Sequence, residues 1–442
     1  MNRVHVVTFL AFMMAGLTAC QDESGDSAAP FALTDMAESD SYSSVMAGAA
    51  NLRRLTQAQF SNSLSTVFGP ELVVPDLAEP DMSIGGLLSV GASTTTVTPR
   101  GVESLEAVAY QVAEQAVSND AIRTRFMTCS PTGVSDAACM REAIETLGLR
   151  LWRRALTEEE VNALVSIGTT SAATLEDFNE GLTFPIAGLI QSPNFMYRAE
   201  LGDGGEFTDT ELAGRLSYFL WNTGPDDELL AAANKGELST RGGLFAQANR
   251  LLDSPNARDG MRNFFSEQLK LYELDHYQKD PQVFEHFTSS LGEDAKEETL
   301  KLLEYIVFDD DSDYREIMST TKTFINRQLA ALYDVPAPPA EGFAYADLKD
   351  YSPRAGILGH AAFLGLHSHA VSSSATLRGK AVRNILLCQL IPAPPVNVDT
   401  SIPEPSGTTN TLRERVAEHL TDPSCAGCHR LTDPIGLGLE NF

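Results

Sequence analysis

The sequence predicts an all-α protein made of several small helical segments packed together. Helix-start signals recur along the chain, since Thr56, Thr157 and Thr208 can each cap a helix and are each followed three residues later by Gln or Glu. Apolar residues repeat at intervals of three and four through most of the chain, which is the period of one helix face. Alternation of apolar and polar residues, the pattern of a strand, is confined to residues 88–98.

The first predicted helix follows Thr56. Its apolar side chains Phe60, Leu64 and Val67 fall on one face, and Gly69-Pro70 ends the pattern. The same capping pattern begins the helices that follow Thr157 and Thr208. Further helical periods run through 101–118, 138–153, 242–253, 258–272, 293–308, 321–333, 354–366, 376–390 and 410–420.

Breaks rich in Gly and Pro divide the helical pattern into domains. Residues 71–100, 200–206 and 334–351 carry such breaks. Residues 391–409 hold five prolines, so we expect an extended Pro-rich connector before the last segment. The predicted domains are a first helical domain at 50–120, a second at 125–200, a third at 206–335 and a C-terminal domain at 350–442.

The N-terminal residues 1–20 predict a lipoprotein signal peptide. The apolar run from Val6 to Gly16 is too short to span a bilayer. It ends in Leu17-Thr18-Ala19-Cys20, the pattern of a lipobox, in which the Cys20 thiol receives the lipid. An ordinary signal peptide with a chance cysteine is the alternative. Residues 21–48 are rich in Ser, Asp and Ala and predict a disordered tether.

The charge of the chain bears on its location and partners. The formal net charge is −28 and the pI is about 4.6, so we expect no nucleic-acid binding, because such a chain repels phosphate backbones. The acidic residue Asp22 is not directly beside Cys20, which favours an outer-membrane anchor facing the periplasm or the cell surface.

Five residues near the C-terminus, Cys425-Ala426-Gly427-Cys428-His429, form a Cys-x-x-Cys-His motif. Two thiols one helical turn apart can add to the two vinyl groups of a haem, and the histidine beside them can reach the iron. We therefore predict one covalently attached c-type haem held by Cys425, Cys428 and His429. A disulfide or a partial zinc site is the alternative, although zinc would need two further ligands.

The sequence offers several candidates for the second axial ligand of this haem. The thirteen residues after His429 contain neither Met nor His, so the ligand comes from upstream, from a partner or from water. His419, His367 and His369 are the upstream candidates, and each is alternatively an ordinary surface or core histidine. An open sixth position would permit peroxide or oxygen chemistry.

Three cysteines lie outside the signal peptide and the Cys-x-x-Cys-His motif. Cys129 and Cys139 lie ten residues apart, and in an oxidising compartment they could close a small disulfide. Cys388 follows two leucines, and we expect it to be a buried small hydrophobic residue.

Several stretches carry a family resemblance. They are Arg53 to Gln59; Arg153 to Glu160 and Gln191 to Glu200; Arg215 to Trp221 and Pro225 to Leu229; and Arg354 to Leu358, Arg378 to Lys380, the proline run from Pro392 and the ending Cys425 to Phe442. These stretches resemble parts of the secreted cytochrome-like proteins first catalogued in planctomycetes, which are built from domains of unknown function. The first stretch resembles the opening of those proteins, the next two their second domain, the next two their third domain and the last four their fourth domain. The resemblance covers nearly all of residues 50–442.

This resemblance implies a mostly helical, extracytoplasmic protein with a cytochrome-type haem site, and it implies no known reaction. Relatives usually continue past Phe442 into a further domain, so this chain either lacks that domain or is truncated. In the second case the outer haem ligand could lie among the missing residues.

Three functional hypotheses follow. The first is electron transfer through one haem c to or from a partner oxidoreductase. The second is a haem-dependent peroxidase or oxidase with an open iron site. The third is a haem-free binding or scaffolding lipoprotein in which Cys425 and Cys428 form a disulfide.

Overall fold

The computed structural model of the chain describes residues 51–441, apart from 203–204, 311, 393–410, 419 and 422. The predicted signal peptide with Cys20, the tether, most of the Pro-rich connector and His419 lie outside the described residues.

The residues that the structure describes are mostly helical, which confirms the predicted all-α class. Four short strands pair into two antiparallel sheets. The strand β1 (Asn51–Arg54) pairs with β2 (Tyr197–Glu200), and β3 (Lys322–Ile325) pairs with β4 (Ala344–Asp347). Within the described part of the chain, no helix is both long enough and apolar enough to cross a membrane.

The chain forms two compact units. The first holds the described residues up to Asn263, and the second begins at Phe264. The helices of the first unit are α1 (Gln57–Phe68), α2 (Leu88–Gly91), α3 (Pro99–Ser118), α4 (Asp120–Arg123), α5 (Ala137–Trp152), α6 (Glu158–Leu175), α7 (Phe178–Gln191), α8 (Pro193–Met196), α9 (Asp209–Leu220), α10 (Asp227–Asn234), α11 (Arg241–Leu252) and α12 (Asn256–Gln268), in which the division falls.

The second unit has shorter helices joined by tight turns. Its α-helices are α13 (Leu291–Glu304), α14 (Arg327–Tyr333), α15 (Ala361–Leu366), α16 (Ala375–Ala381), α17 (Leu412–Glu418) and α18 (Pro423–Leu437). The 3₁₀ segments are Leu271–His276, Tyr314–Met318 and Ile357–Gly359, and the π segments are Tyr305–Asp309 and Val382–Leu386.

The predicted helix starts in the first unit are confirmed. Thr56, Thr157 and Thr208 each accept a hydrogen bond from the backbone three residues on, and the Gln or Glu there bonds back to the threonine. The core of this unit forms where α7 packs against α3 and α6. Burial of its apolar side chains is the main stabilising contribution.

The predicted strand at residues 88–98 is wrong. Leu88–Gly91 forms one helical turn, and the hydroxyls of Thr94 and Thr95 donate hydrogen bonds to the Gly91 carbonyl, at 2.9 and 3.1 Å. These local bonds hold the backbone in a turn, because a threonine hydroxyl competes with strand pairing for carbonyl groups.

The cysteine assignments have different outcomes. Cys129 and Cys139 form a disulfide in the structure, with Cα atoms 5.6 Å apart. The expectation for Cys388 is wrong, because its side chain is exposed. Cys388 lies shortly after the π segment and has a positive φ of 51°.

A buried polar network lies in the core of the second unit. The Glu298 carboxylate, 0% exposed, accepts hydrogen bonds from Tyr333 Oη at 2.5 Å and from Thr323 Oγ1 at 2.9 Å. His360 Nδ1 lies 3.1 Å from Thr299 Oγ1, and its ring is also buried. Each buried polar group here has a partner, which removes most of the cost of its desolvation.

Candidate functional site

The Cys-x-x-Cys-His motif lies on α18. Cys425 and Cys428 are half-buried thiols and are not joined in a disulfide. A spacing of three residues brings side chains to the same side of a helix, one turn apart. His429 follows directly, and 20% of its side chain is exposed. The motif therefore presents two thiols and one imidazole from a single turn of helix.

A buried carboxylate fixes the imidazole. Asp433 lies one turn after His429, is 0% exposed, and its Oδ2 is 2.8 Å from His429 Nδ1. Its other oxygen, Oδ1, accepts hydrogen bonds from Thr376 Oγ1 at 2.9 Å and from Thr432 Oγ1 at 3.1 Å. Because a carboxylate only accepts, His429 Nδ1 donates this hydrogen bond, and Nε2 is the ring nitrogen left to ligate a metal.

Two glycines allow α18 to pack closely against α16. A Cβ atom on Gly379 would lie 1.9 Å from the Thr432 carbonyl oxygen, and one on Gly436 would lie 1.7 Å from that of Ala375. Only residues without a Cβ fit such contacts. The close approach brings the Thr376 hydroxyl to Asp433, so packing of α16 completes the surroundings of His429.

Polar contacts also hold the residues around α18. Arg383 Nε donates to the Leu431 carbonyl at 2.5 Å. Arg378 Nη1 donates to the Glu440 carboxylate at 2.9 Å and to the Leu439 carbonyl at 3.1 Å. These bonds anchor the C-terminal half of α18 and the residues that follow it.

The donor set fits a c-type haem. Covalent attachment needs two thiols one turn apart and an adjacent histidine, and α18 supplies all three. A metal-binding histidine usually donates its second ring N–H to a carboxylate or carbonyl, and Asp433 meets that requirement. Among the residues that the structure describes, no three His, Cys, Asp or Glu side chains cluster as a metal site.

The two predicted upstream ligands that fall in described residues have different surroundings. His367 packs against the Phe363 ring, with centroids 4.8 Å apart, and its Nε2 is buried without a hydrogen-bond partner. Burial, reinforced by Lys270 and Arg378, lowers the pKa of His367 to about 4, so the imidazole is neutral. His369 is exposed. Ligation of iron by either residue, or by His419, stays a prediction.

Sequence reasoning missed Asp433 and Thr376. A signal for Asp433 was present, because a residue four positions after a helical histidine lies on the same face. No comparable signal exists for Thr376, which is 57 residues away from Asp433 in the chain and reaches it only through helix packing.

Three family models match the chain. Residues 139–200 match PSD5, a protein of unknown function (DUF1595), and residues 207–335 match PSD4, a protein of unknown function (DUF1592). Residues 354–442, which include the Cys-x-x-Cys-His motif, match PSCyt3, a protein of unknown function (DUF1588). No curated protein and no solved structure matches the chain.

Proposed function

We propose that this chain, which belongs to the planctomycete-type family of multi-domain cytochrome-like proteins, carries one covalent haem c and transfers electrons to or from a partner oxidoreductase. The observation that carries the proposal is the pair His429–Asp433, 2.8 Å apart, beside two thiols on the same helix. A bound haem would supply one-electron chemistry.

The attachment residues have separate roles in this proposal. The Cys425 and Cys428 thiols would add to the vinyl groups, one bond from each sulfur. His429 would ligate the iron through Nε2, because Asp433 engages Nδ1. Since Asp433 is buried and bonded by Thr376, the imidazole plane is set by the protein before any haem is attached.

The same carboxylate supports a second candidate, a haem-dependent peroxidase or oxidase with an open iron site. A histidine that donates to a buried carboxylate is a stronger electron donor to iron, which stabilises the oxidised metal and lowers its reduction potential. A six-coordinate low-spin spectrum would favour electron transfer. A high-spin spectrum that responds to cyanide or peroxide would favour the enzyme.

The proposed location rests on the sequence. We infer export and lipid attachment at Cys20, with an anchor in the outer membrane that faces the periplasm or the cell surface. A haem c is attached outside the cytoplasm, so an exported chain and the Cys-x-x-Cys-His motif agree with each other. The tether between the anchor and the first helix would leave the protein able to reach a redox partner.

Haem attachment is tested directly by expression in a host with cytochrome c maturation. The purified full chain should stain for haem on a denaturing gel and give the pyridine haemochrome spectrum of haem c. The Cys425→Ala and Cys428→Ala single variants should retain less haem, and the double variant none. A Cys129→Ala/Cys139→Ala variant is the matched control and should keep its stain. Wild-type protein without haem would contradict the proposal and favour a haem-free binding protein.

A further inference from the structure

A cavity of about 460 Å³ lies within the second unit, and two buried cations line it. The Lys279 side chain is 9% exposed and Arg378 is 4% exposed. Val283 and Glu285, which also line the cavity, are both exposed, so it opens to solvent. A cavity with cations inside and an open mouth is a place where a small anion can be held away from water.

Lys279 has no counter-ion among the residues that the structure describes. Its Nζ donates to Ser368 Oγ and to the His369 carbonyl, both at 2.7 Å, and to the Ser368 carbonyl at 3.2 Å. All three acceptors are neutral. Burial, with a smaller effect of Arg378, lowers the pKa of Lys279 to about 8, which leaves it cationic at neutral pH. A buried charge without a counter-ion is costly, so an anion in the cavity would stabilise it.

Arg378 contributes a hydrogen-bond donor. Its Nη1 is engaged by Glu440 and Leu439, whereas its buried Nε has no hydrogen-bond partner. Buried polar atoms in folded proteins nearly always have a partner, and an exception indicates a missing one. Arg354, which also lines the cavity, holds its guanidinium 4.2 Å from the Tyr333 ring centre.

Much of the remaining wall is apolar, although Glu285, His286 and Ser368 also line the cavity. Phe284, Phe287, Leu332 and Leu364 line the cavity together with the ring of Tyr277. An apolar ligand body would gain from leaving water in contact with these side chains. Because Glu440 already balances Arg378, one negative charge on the ligand is enough to balance Lys279.

We propose that this cavity binds an apolar molecule that carries one carboxylate, with the carboxylate at Lys279 and Arg378 and the body along Phe284, Phe287 and Leu364. This site is additional to the proposed haem function and does not depend on it.

No residue of the Cys-x-x-Cys-His motif is among those that line the cavity. The helices α16 and α18 run antiparallel, because Ala375 lies against Gly436 and Gly379 against Thr432. The Cys428 end of α18 therefore lies towards the C-terminal end of α16. The other cavity residues of this region, which lie between 361 and 368, precede the N-terminal end of α16.

The test uses the full chain and two probes that share one ring system, 2-naphthoate and the neutral 2-naphthylmethanol. In isothermal titration calorimetry at pH 7, we expect 2-naphthoate to bind more tightly by about tenfold or more, since only it carries the charge. Lys279→Met should remove this preference and leave 2-naphthylmethanol unchanged. Lys349→Met, at an exposed lysine paired with Asp347, is the control and should bind like wild type.

Equal affinity for the two probes in wild type, or no binding of 2-naphthoate at millimolar concentration, would overturn the proposal. So would a folded Lys279→Met variant that keeps the preference. If that variant does not fold, a comparison of Val283→Glu with Val283→Gln tests the proposal instead. Val283 is 52% exposed and tolerates a polar side chain. The glutamate at the mouth should weaken 2-naphthoate binding several-fold relative to the glutamine, and equal affinities would again overturn the proposal.

Discussion

Gly379 and Thr432 are in contact through their backbones, since a Cβ atom on Gly379 would lie 1.9 Å from the Thr432 carbonyl oxygen. This contact sets how closely the helix with the Cys-x-x-Cys-His motif approaches α16. It also brings Thr376 to the carboxylate behind His429. The orientation of a candidate haem ligand therefore depends on a glycine 50 residues earlier in the sequence.

The first prediction concerns that glycine. Gly379→Ala should force α16 and α18 apart and lower the free energy of unfolding by about 1–3 kcal/mol, the usual cost of overpacking. Urea unfolding followed by circular dichroism measures the change. Gly427→Ala, on the exposed side of α18 with no atom near its Cβ, is the control and should be neutral or gain up to about 1 kcal/mol. Equal effects of the two variants would show that the contact does not hold the helices together.

The second prediction concerns Asp433. Asp433→Asn should keep the haem but raise its reduction potential, because the amide no longer draws the Nδ1 proton of His429 as strongly. Thr376→Val should shift the potential the other way, since it removes a hydrogen bond to Asp433 Oδ1 and leaves the carboxylate a stronger acceptor. Spectroelectrochemical titration measures both. Unchanged potentials in haem-loaded variants would refute the role of Asp433, whereas a wild type without haem would refute haem binding itself.

A third prediction is a dependence of stability on pH. Burial lowers the pKa of His360 below its usual 6.5, so the folded protein binds fewer protons there than the unfolded chain. The contribution of His360 to the free energy of unfolding should therefore be complete above pH 6.5. This contribution should fall as the pH drops below that value. Urea unfolding at pH 7.5 and 5.5 should show a smaller difference in His360→Asn than in wild type. The exposed His276 gives the control, and a His276→Asn variant with the same reduction would contradict the assignment.

The fourth prediction concerns the disulfide between Cys129 and Cys139. Replacing both by Ala should lower the free energy of unfolding by about 2–3 kcal/mol, because the bond limits the unfolded chain. Dithiothreitol should destabilise the wild type by a similar amount and leave the double variant unaffected at this site. Non-reducing peptide mapping identifies the link, and another partner for either cysteine would disprove it.

A fifth prediction concerns the lipid anchor. Cys20→Ala should release the protein from the membrane fraction into the soluble periplasm, because the short apolar run before it cannot hold the chain in a bilayer. Cell fractionation with immunodetection measures this. Continued membrane association of the variant would show that another feature of the chain attaches it.

The sequence by itself determined the features that depend on neighbouring residues. The capping threonines fix helix starts, because each cap is complete within four residues. The spacing of Cys425, Cys428 and His429 defines the proposed haem chemistry, since one helical turn brings them together whatever surrounds that turn. The three-and-four periodicity likewise predicted the all-α class.

Only the tertiary structure decided the features that join distant parts of the chain. The hydrogen bond from Thr376 to Asp433 and the cavity around Lys279 and Arg378 arise where separate helices and turns pack. The turn at residues 88–98 also escaped the sequence pattern, because its threonine hydroxyls took the carbonyl that a strand would have paired. Side-chain periodicity indicates which face of an element is buried, but it does not indicate which other element covers that face. Here the packing of α16 against α18 brought Thr376 to the carboxylate behind His429.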